Sequence, residues 1–128
     1  DKIAFLASHP SGYAAVLEED GVVVGHAFVE PHRLEVTSHV VFLTIVIHEG
    51  HQGRGLGRLL MEHLIAWART NPGVEKFELQ VRSSNERAIR LYQRLGFVEE
   101  GRKTRRIRYA PDDYQDDVYM AMWVGEGA

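Results

Sequence analysis

The chain has 128 residues, 45% of them hydrophobic and 26% charged, with a formal net charge of −3 and no cysteine. That length predicts one domain over residues 1–128 with one core; the charge offers no basic field for nucleic acid, and the lack of thiols excludes disulfides, thiolate metal sites and a cysteine nucleophile. The longest apolar run, Val40 to Ile47, is far below the ~20 residues that span a bilayer and no secretory signal is visible, so the expectation is a soluble, cytoplasmic protein.

Tyr13 to Glu18 and Val22 to Val29 flank Glu19-Asp20-Gly21, an Asp-Gly turn between two β-rich runs, which predicts a hairpin whose second strand ends at Pro31. Val40 to Ile47 is nearly continuous in β-branched and aromatic residues, as a central strand buried on both faces would be. From Leu56 the apolar positions Leu59, Leu60, Leu64, Trp67 and Ala68 recur at helical spacing, and Asn71-Pro72-Gly73 stops the helix after Thr70. Phe77, Leu79 and Val81 alternate with Glu78, Gln80 and Arg82, a strand with one polar face. The next helix opens on a capping-box pattern, Ser83-x-x-Glu86, and ends at Gly96. From Val98 the pattern is a hairpin across Ala110-Pro111-Asp112-Asp113, returning through Val118 to Val124. The whole is a mixed α/β arrangement without internal repeat or linker.

Chemistry concentrates at Gln52-Gly53-Arg54-Gly55-Leu56-Gly57-Arg58, which joins the apolar strand to the first helix. The first N–H groups of a helix lack internal partners and carry the positive end of its dipole, so a glycine-rich turn at that point makes an anion site. A Walker loop is excluded because Arg58 and Leu59 follow Gly57 where Lys and Ser or Thr are needed, and a dinucleotide fingerprint because Arg58 occupies its third glycine position.

The spacing Gln52-x-x-Gly55-x-Gly57 after Ile45-Val46-Ile47 resembles the coenzyme A pyrophosphate loop of the GNAT superfamily of acyl-CoA N-acetyltransferases. Asn85-Glu86-Arg87-Ala88-Ile89-Arg90-Leu91-Tyr92-Gln93-Arg94-Leu95-Gly96-Phe97 is similar to the second hallmark of that family, N-x-x-A-x-x-L-Y-x-x-x-G-F. The resemblance implies an α/β (α+β) fold with a mixed, mostly antiparallel sheet, a splayed central strand pair, helices on both faces and a C-terminal hairpin. Members usually place a strand and two helices ahead of the segment beginning near Tyr13; with Asp1 rather than Met first, these are expected to be missing and the chain to be trimmed.

What the resemblance implies for function is transfer of an acetyl group from acetyl-CoA to a primary amine, by direct attack. Ile45, Val46 and Ile47 would pair their backbone with the pantetheine arm, and Gln52, Gly53, Arg54, Gly55, Leu56, Gly57 and Arg58 would hold the pyrophosphate. A main-chain N–H near Ile47, at an expected bulge, would meet the oxyanion. Tyr92 would protonate the departing thiolate, the alternative being a core tyrosine on the stripe of Ala88, Ile89, Leu91 and Leu95. Asn85 would touch the cofactor arm, a role compatible with capping its helix. The base departs from the pattern. Relatives acting on ribosomal-protein alanine carry glutamate where this chain has Gln80, and the histone-type position falls on Val41. Gln80 can orient the acceptor or a water but has no useful proton affinity, leaving Glu78, on the same strand face, as fallback beside a plain solvated reading of it, with a water chain relaying the proton equally open.

His48 and His51 flank the loop but are too few ligands for a closed zinc site, so no metal is expected. Arg54, Arg58 and Arg87 could reach coenzyme A phosphates or be solvated helix arginines. The run Arg102-Lys103-Thr104-Arg105-Arg106-Ile107-Arg108 faces Asp112, Asp113, Asp116 and Asp117 across the hairpin, so charge pairing explains it better than nucleic acid. The acceptor class stays open among polyamines, amino acids, antibiotic amines and protein amines. The alternative to an enzyme is a catalytically weak coenzyme A-binding or regulatory module, and in this family a C-terminal hairpin strand can pair two copies as a homodimer.

Overall fold

The computed structural model describes residues 2–9, 12–32 and 34–125, and the Asp-Gly pair in it turns as its chemistry requires: Asp20 has φ 52° and Gly21 φ 80°. Two positive φ values in a two-residue loop match the right-handed twist of the flanking strands. The strands so joined, β2 (Gly12–Glu19) and β3 (Val22–Pro31), pair antiparallel with Glu19 opposite Val22.

A strand precedes them. β1 (Lys2–His9) pairs antiparallel with β2, which corrects the expectation that no strand lies ahead of Tyr13. Its register shifts between Phe5 and Ala7, and such an irregularity breaks the period-two alternation by which strands are recognised in sequence.

β4 (Val40–Ile47) continues the antiparallel ladder on β3, from Val41 opposite Pro31 to Ile47 opposite Gly25. That ladder has no register shift, so the bulge expected near Ile47 is not a feature of its pairing with β3. Regular pairing persists because Gly25 lets Ile47 in: a Cβ there would stand 2.9 Å from Ile47 Cδ1 and 3.1 Å from the Val46 carbonyl. Burial on both faces holds only for the first half of β4. Val40, Val41 and Leu43 are buried, whereas Thr44 is exposed and Val46 is 41% exposed.

α1 (Leu56–Arg69) follows the glycine turn and ends at Thr70, whose N–H caps back to the Trp67 and Ala68 carbonyls. Leu56, Leu60, Met61, Leu64, Ile65 and Ala68 form its buried stripe, and the helix packs against β3 and β4. On its partly buried flank Trp67 stacks on Tyr13 with ring centroids 4.7 Å apart, and Tyr13 Oη lies 2.7 Å from His63 Nε2.

The chain falls into two compact units, residues 1–77 with 124–128, and residues 78–123. β5 (Lys76–Arg82) runs into the second, with Phe77, Leu79 and Val81 buried as the alternation predicts. α2 (Glu86–Leu95) ends on Gly96 at φ 110°, whose N–H returns to the Tyr92 and Gln93 carbonyls. β6 (Val98–Ala110) and β7 (Asp113–Trp123) form the antiparallel hairpin, in the order β5-β7-β6 with β6 outermost. Among the described residues no helix is long and apolar enough to cross a membrane.

Candidate active site

Within the first unit the site grows out of the end of β4. Ile47 packs with Leu59 against a cluster of Leu17, Val24 and Leu56, so strand end and helix start are anchored in the same core. Between them the chain must reverse within a few residues, and it does so on glycines: Gly50, Gly53 and Gly55 have φ 87°, 79° and 80°. Side chains rarely adopt this left-handed region, and Gly55 is the N-cap of α1. Gln52 reaches back across the turn, its Nε2 donating to the Ile47 carbonyl at 3.2 Å, and His51 N–H donates to the His48 carbonyl at 3.0 Å.

The start of α1 has no side-chain cap and no acidic residue in its first turn. Among the described residues no side chain caps this helix start, and the space where a Gly55 Cβ would project is open to 4 Å. Positive potential, unpartnered donors and open space fit a diphosphate.

The arginines divide. Arg54 Nη2 stands 2.5 Å from Glu19 Oε2, with its Nη1 3.3 Å from His51 Nδ1, so this side chain clamps the glycine turn to the end of β2. The hydrogen bond from Arg54, helped by its charge and that of His51, holds the Glu19 carboxyl below the usual carboxylate range. Arg58 is exposed and lies 3.8 Å from Glu62 one turn on, and Arg87 is exposed on α2. His48 is engaged by a residue that no local pattern joins to it: His26 Nδ1 on β3 is 3.1 Å from His48 Nε2. Among the described residues no group of three or more metal-ligating side chains forms.

In the second unit Gln80 is exposed on the polar face of β5, and Glu78 on that face is half-buried. The cap of α2 is Asn85, whose Oδ1 accepts Ala88 N–H at 3.2 Å, which corrects the capping box expected from Ser83. Ser83 is used elsewhere: its N–H donates to the Asp116 carbonyl and its hydroxyl accepts from Asp116 N–H, each at 3.0 Å. Such a long-range partner leaves no trace in local spacing. Tyr92 is 8% exposed, its ring 5.9 Å from that of Phe97, and burial pushes its hydroxyl above the ordinary tyrosine range. It is therefore a neutral phenol at physiological pH, able to give a proton.

The charged hairpin pairs internally. Arg102 Nη1 lies 3.5 Å from Asp116 Oδ2 and Arg106 Nε 3.4 Å from Asp117 Oδ2. Asp116 and Asp117 carry this pairing, while Asp113 accepts from Gln115.

A family model described as the acetyltransferase (GNAT) family matches residues 1–97. An L-amino acid N-acyltransferase, MnaT of Escherichia coli, is 38% identical over 96 residues, 73% of this chain and 55% of that protein. The [ribosomal protein bS18]-alanine N-acetyltransferase of Salmonella typhimurium is 40% identical over 89 residues, 68% of this chain and 57% of its own. The chain thus spans little more than half the length of these curated relatives. Among solved structures, an acetyltransferase of the GNAT family from Streptococcus pneumoniae superposes with a TM-score of 0.84 at 28% identity, covering 92% of this chain and 70% of that one. The structure of yncA from Salmonella typhimurium with its cofactor acetyl-CoA gives 0.82 at 29%, covering 91% and 67%.

Proposed function

The chain belongs to the acetyltransferase (GNAT) family, and from that premise we propose that it transfers an acetyl group from acetyl-CoA to a primary amine by direct attack. The observation that carries this is the uncapped start of α1 behind a run of left-handed glycines, a cradle for a diphosphate. Acetyl-CoA supplies an activated acyl group as a thioester. Gln52, Gly53, Gly55, Leu56, Gly57 and Arg58 would hold its pyrophosphate, with Arg54 bracing the turn from Glu19, and the Ile45, Val46 and Ile47 backbone would line its arm.

As the nitrogen–carbon bond forms and the carbon–sulfur bond breaks, Tyr92 would give its phenolic proton to the sulfur, and the proton shed by the attacking nitrogen would return through water to the Tyr92 phenolate. Asn85 would serve cofactor arm and helix alike. Gln80, which has no basic lone pair, would orient the acceptor, and Glu78 is the carboxylate nearest to it along β5. Because the relatives named above act on an L-amino acid and on a ribosomal-protein alanine, the acceptor is proposed to be the α-amine of an amino acid or of a polypeptide. Pairing of two copies through the outermost strand β6 belongs to the same reading and is checked by sedimentation.

The test is calorimetric titration with acetyl-CoA of the wild-type chain and of Gly55→Trp, followed by assay of thiol release with an L-amino acid, alanine amide, an alanine-initiated peptide, a polyamine and a lysine peptide. Binding that Gly55→Trp abolishes, with turnover on an α-amine, supports the proposal. Binding without transfer to any amine would favour a coenzyme A-binding module. No binding by the folded chain removes the donor site itself.

A further inference from the structure

The turn that carries β5 into α2 is fastened to β7. Besides the reciprocal bonds between Ser83 and Asp116, the Ser83 hydroxyl donates to Gln115 Oε1 at 3.2 Å. Ser83 thus uses its one hydroxyl proton and an oxygen lone pair together, which fixes its rotamer and the backbone around it.

Asp116 is in turn held from β6. Its Oδ1 accepts Arg105 N–H at 3.0 Å, and its Oδ2 faces Arg102, whose Nε lies 3.1 Å from Glu99 Oε2. Arg105 carries the second observation, because its φ is 54° in a region that residues other than glycine seldom hold without compensation. The β6–β7 register slips between Lys103 and Ile107, so β6 bulges where Arg105 N–H turns to the Asp116 carboxylate. A bulge at a left-handed arginine aims a group, here the Arg105 N–H, and what that N–H holds is the Asp116 carboxylate.

From Ser83 the chain passes directly to the cap. Asn85 N–H donates to the Arg82 carbonyl at 2.9 Å, closing the turn, and the Asn85 carbonyl accepts Ile89 N–H at 3.1 Å. Tyr92 follows about two helical turns later on the same rigid rod. A tilt at Ser83 would be carried along α2 to the Tyr92 hydroxyl.

We infer that Ser83 and Asp116 are positioning residues for the transfer reaction: the bulged edge strand holds Asp116, Asp116 holds Ser83, and Ser83 sets how α2 presents Asn85 and Tyr92. This rests on the proposed role of Tyr92 as proton donor. Neither residue is required to touch substrate.

The experiment is a double-mutant cycle on kcat with acetyl-CoA and the best acceptor of the panel above, using Ser83→Ala, Tyr92→Phe and both together, with melting temperatures recorded for each. Misplacement of a reacting group by ~1 Å costs on the order of 10²-fold. Ser83→Ala is expected to lower kcat at least about 10-fold while the protein stays folded, Ser83→Thr to restore it by returning the hydroxyl, and Ser83→Ala to add no further loss in the Tyr92→Phe background. Asp116→Ala, which releases Arg105, should repeat the pattern, guarding against a peculiarity of one variant. Equal losses from Ser83→Ala in the two backgrounds, or none in either, would overturn the positioning role while leaving Tyr92 as donor. An unchanged kcat in Tyr92→Phe would instead overturn the donor role and the positioning inference with it.

Discussion

Arg54 and Glu19 meet side chain to side chain at 2.5 Å, joining the middle of the glycine turn to the last residue of β2. The Arg54 side chain is thus paired with a carboxylate, a contact that ties the glycine turn to β2. Glu19 is depressed below the carboxylate range, first by the hydrogen bond from Arg54. A carboxyl lowered on folding contributes stability that is present above its unfolded pKa and lost as pH falls through the folded one. The melting-temperature gap between wild type and Glu19→Gln should therefore be largest near neutrality and close on acidification below the ordinary carboxylate range. A gap that stays constant down to strongly acid pH counts against the pairing.

Gly55→Ala separates conformation from obstruction. A Cβ at Gly55 meets nothing within 4 Å, so the cost arises from φ 80° alone. Denaturant melts should show a loss of about 1 kcal/mol, the penalty of a left-handed alanine. Acetyl-CoA affinity should fall with it, though less than in Gly55→Trp, because the cradle relaxes without being filled. Equal affinity in wild type and alanine variant would show that the glycine is not needed for binding.

Tyr92→Phe keeps the ring that packs near Phe97 and removes only the hydroxyl. We expect kcat to fall on the order of 10²-fold, the usual contribution of a positioned acid, with little change in acetyl-CoA affinity or melting temperature. Because burial raises Tyr92, the alkaline limb of the wild-type kcat profile that belongs to this group should lie above the ordinary tyrosine range near ~10. A limb near neutral pH surviving in Tyr92→Phe would assign it to another group.

Asp117 is 5% exposed and has Arg106 at 3.4 Å. Arg106→Met keeps most of the apolar stem but strands the carboxylate, and should cost roughly 2 kcal/mol in urea unfolding. Adding Asp117→Leu removes the stranded charge and should recover most of the loss. If the double variant is no better than the single one, the ion pair is not what Arg106 contributes.

The parts of the fold set by neighbours in sequence were legible. Asp20-Gly21 dictates its turn, Leu56 to Thr70 its helix, and Gly96 its stop, each because the deciding hydrogen bonds span four residues or fewer. The glycine turn after β4 was legible from its own residues, with Gly53 and Gly55 both at positive φ. What escaped depended on partners far along the chain. Ser83 reads as a helix cap until β7 claims it, His26 gives no sign that it will meet His48, and a shifted register hides β1. The pairing of Arg54 with Glu19 was hidden for the same reason, since Glu19 arrives from another strand.

Trp67 and Trp123 are the only two tryptophans, and they fall in different units. Trp67 is partly enclosed and stacked on Tyr13, whereas Trp123 is 52% exposed at the end of β7. Indole emission shifts to longer wavelength when water replaces a neighbouring ring, so a red shift on heating will come chiefly from the first unit. Trp67→Phe leaves Trp123 as a lone lamp on the second. The protein is thereby fitted with two native optical probes, one for the unit that would cradle the phosphate and one for the unit that carries Tyr92, and their unfolding can be followed separately without any label.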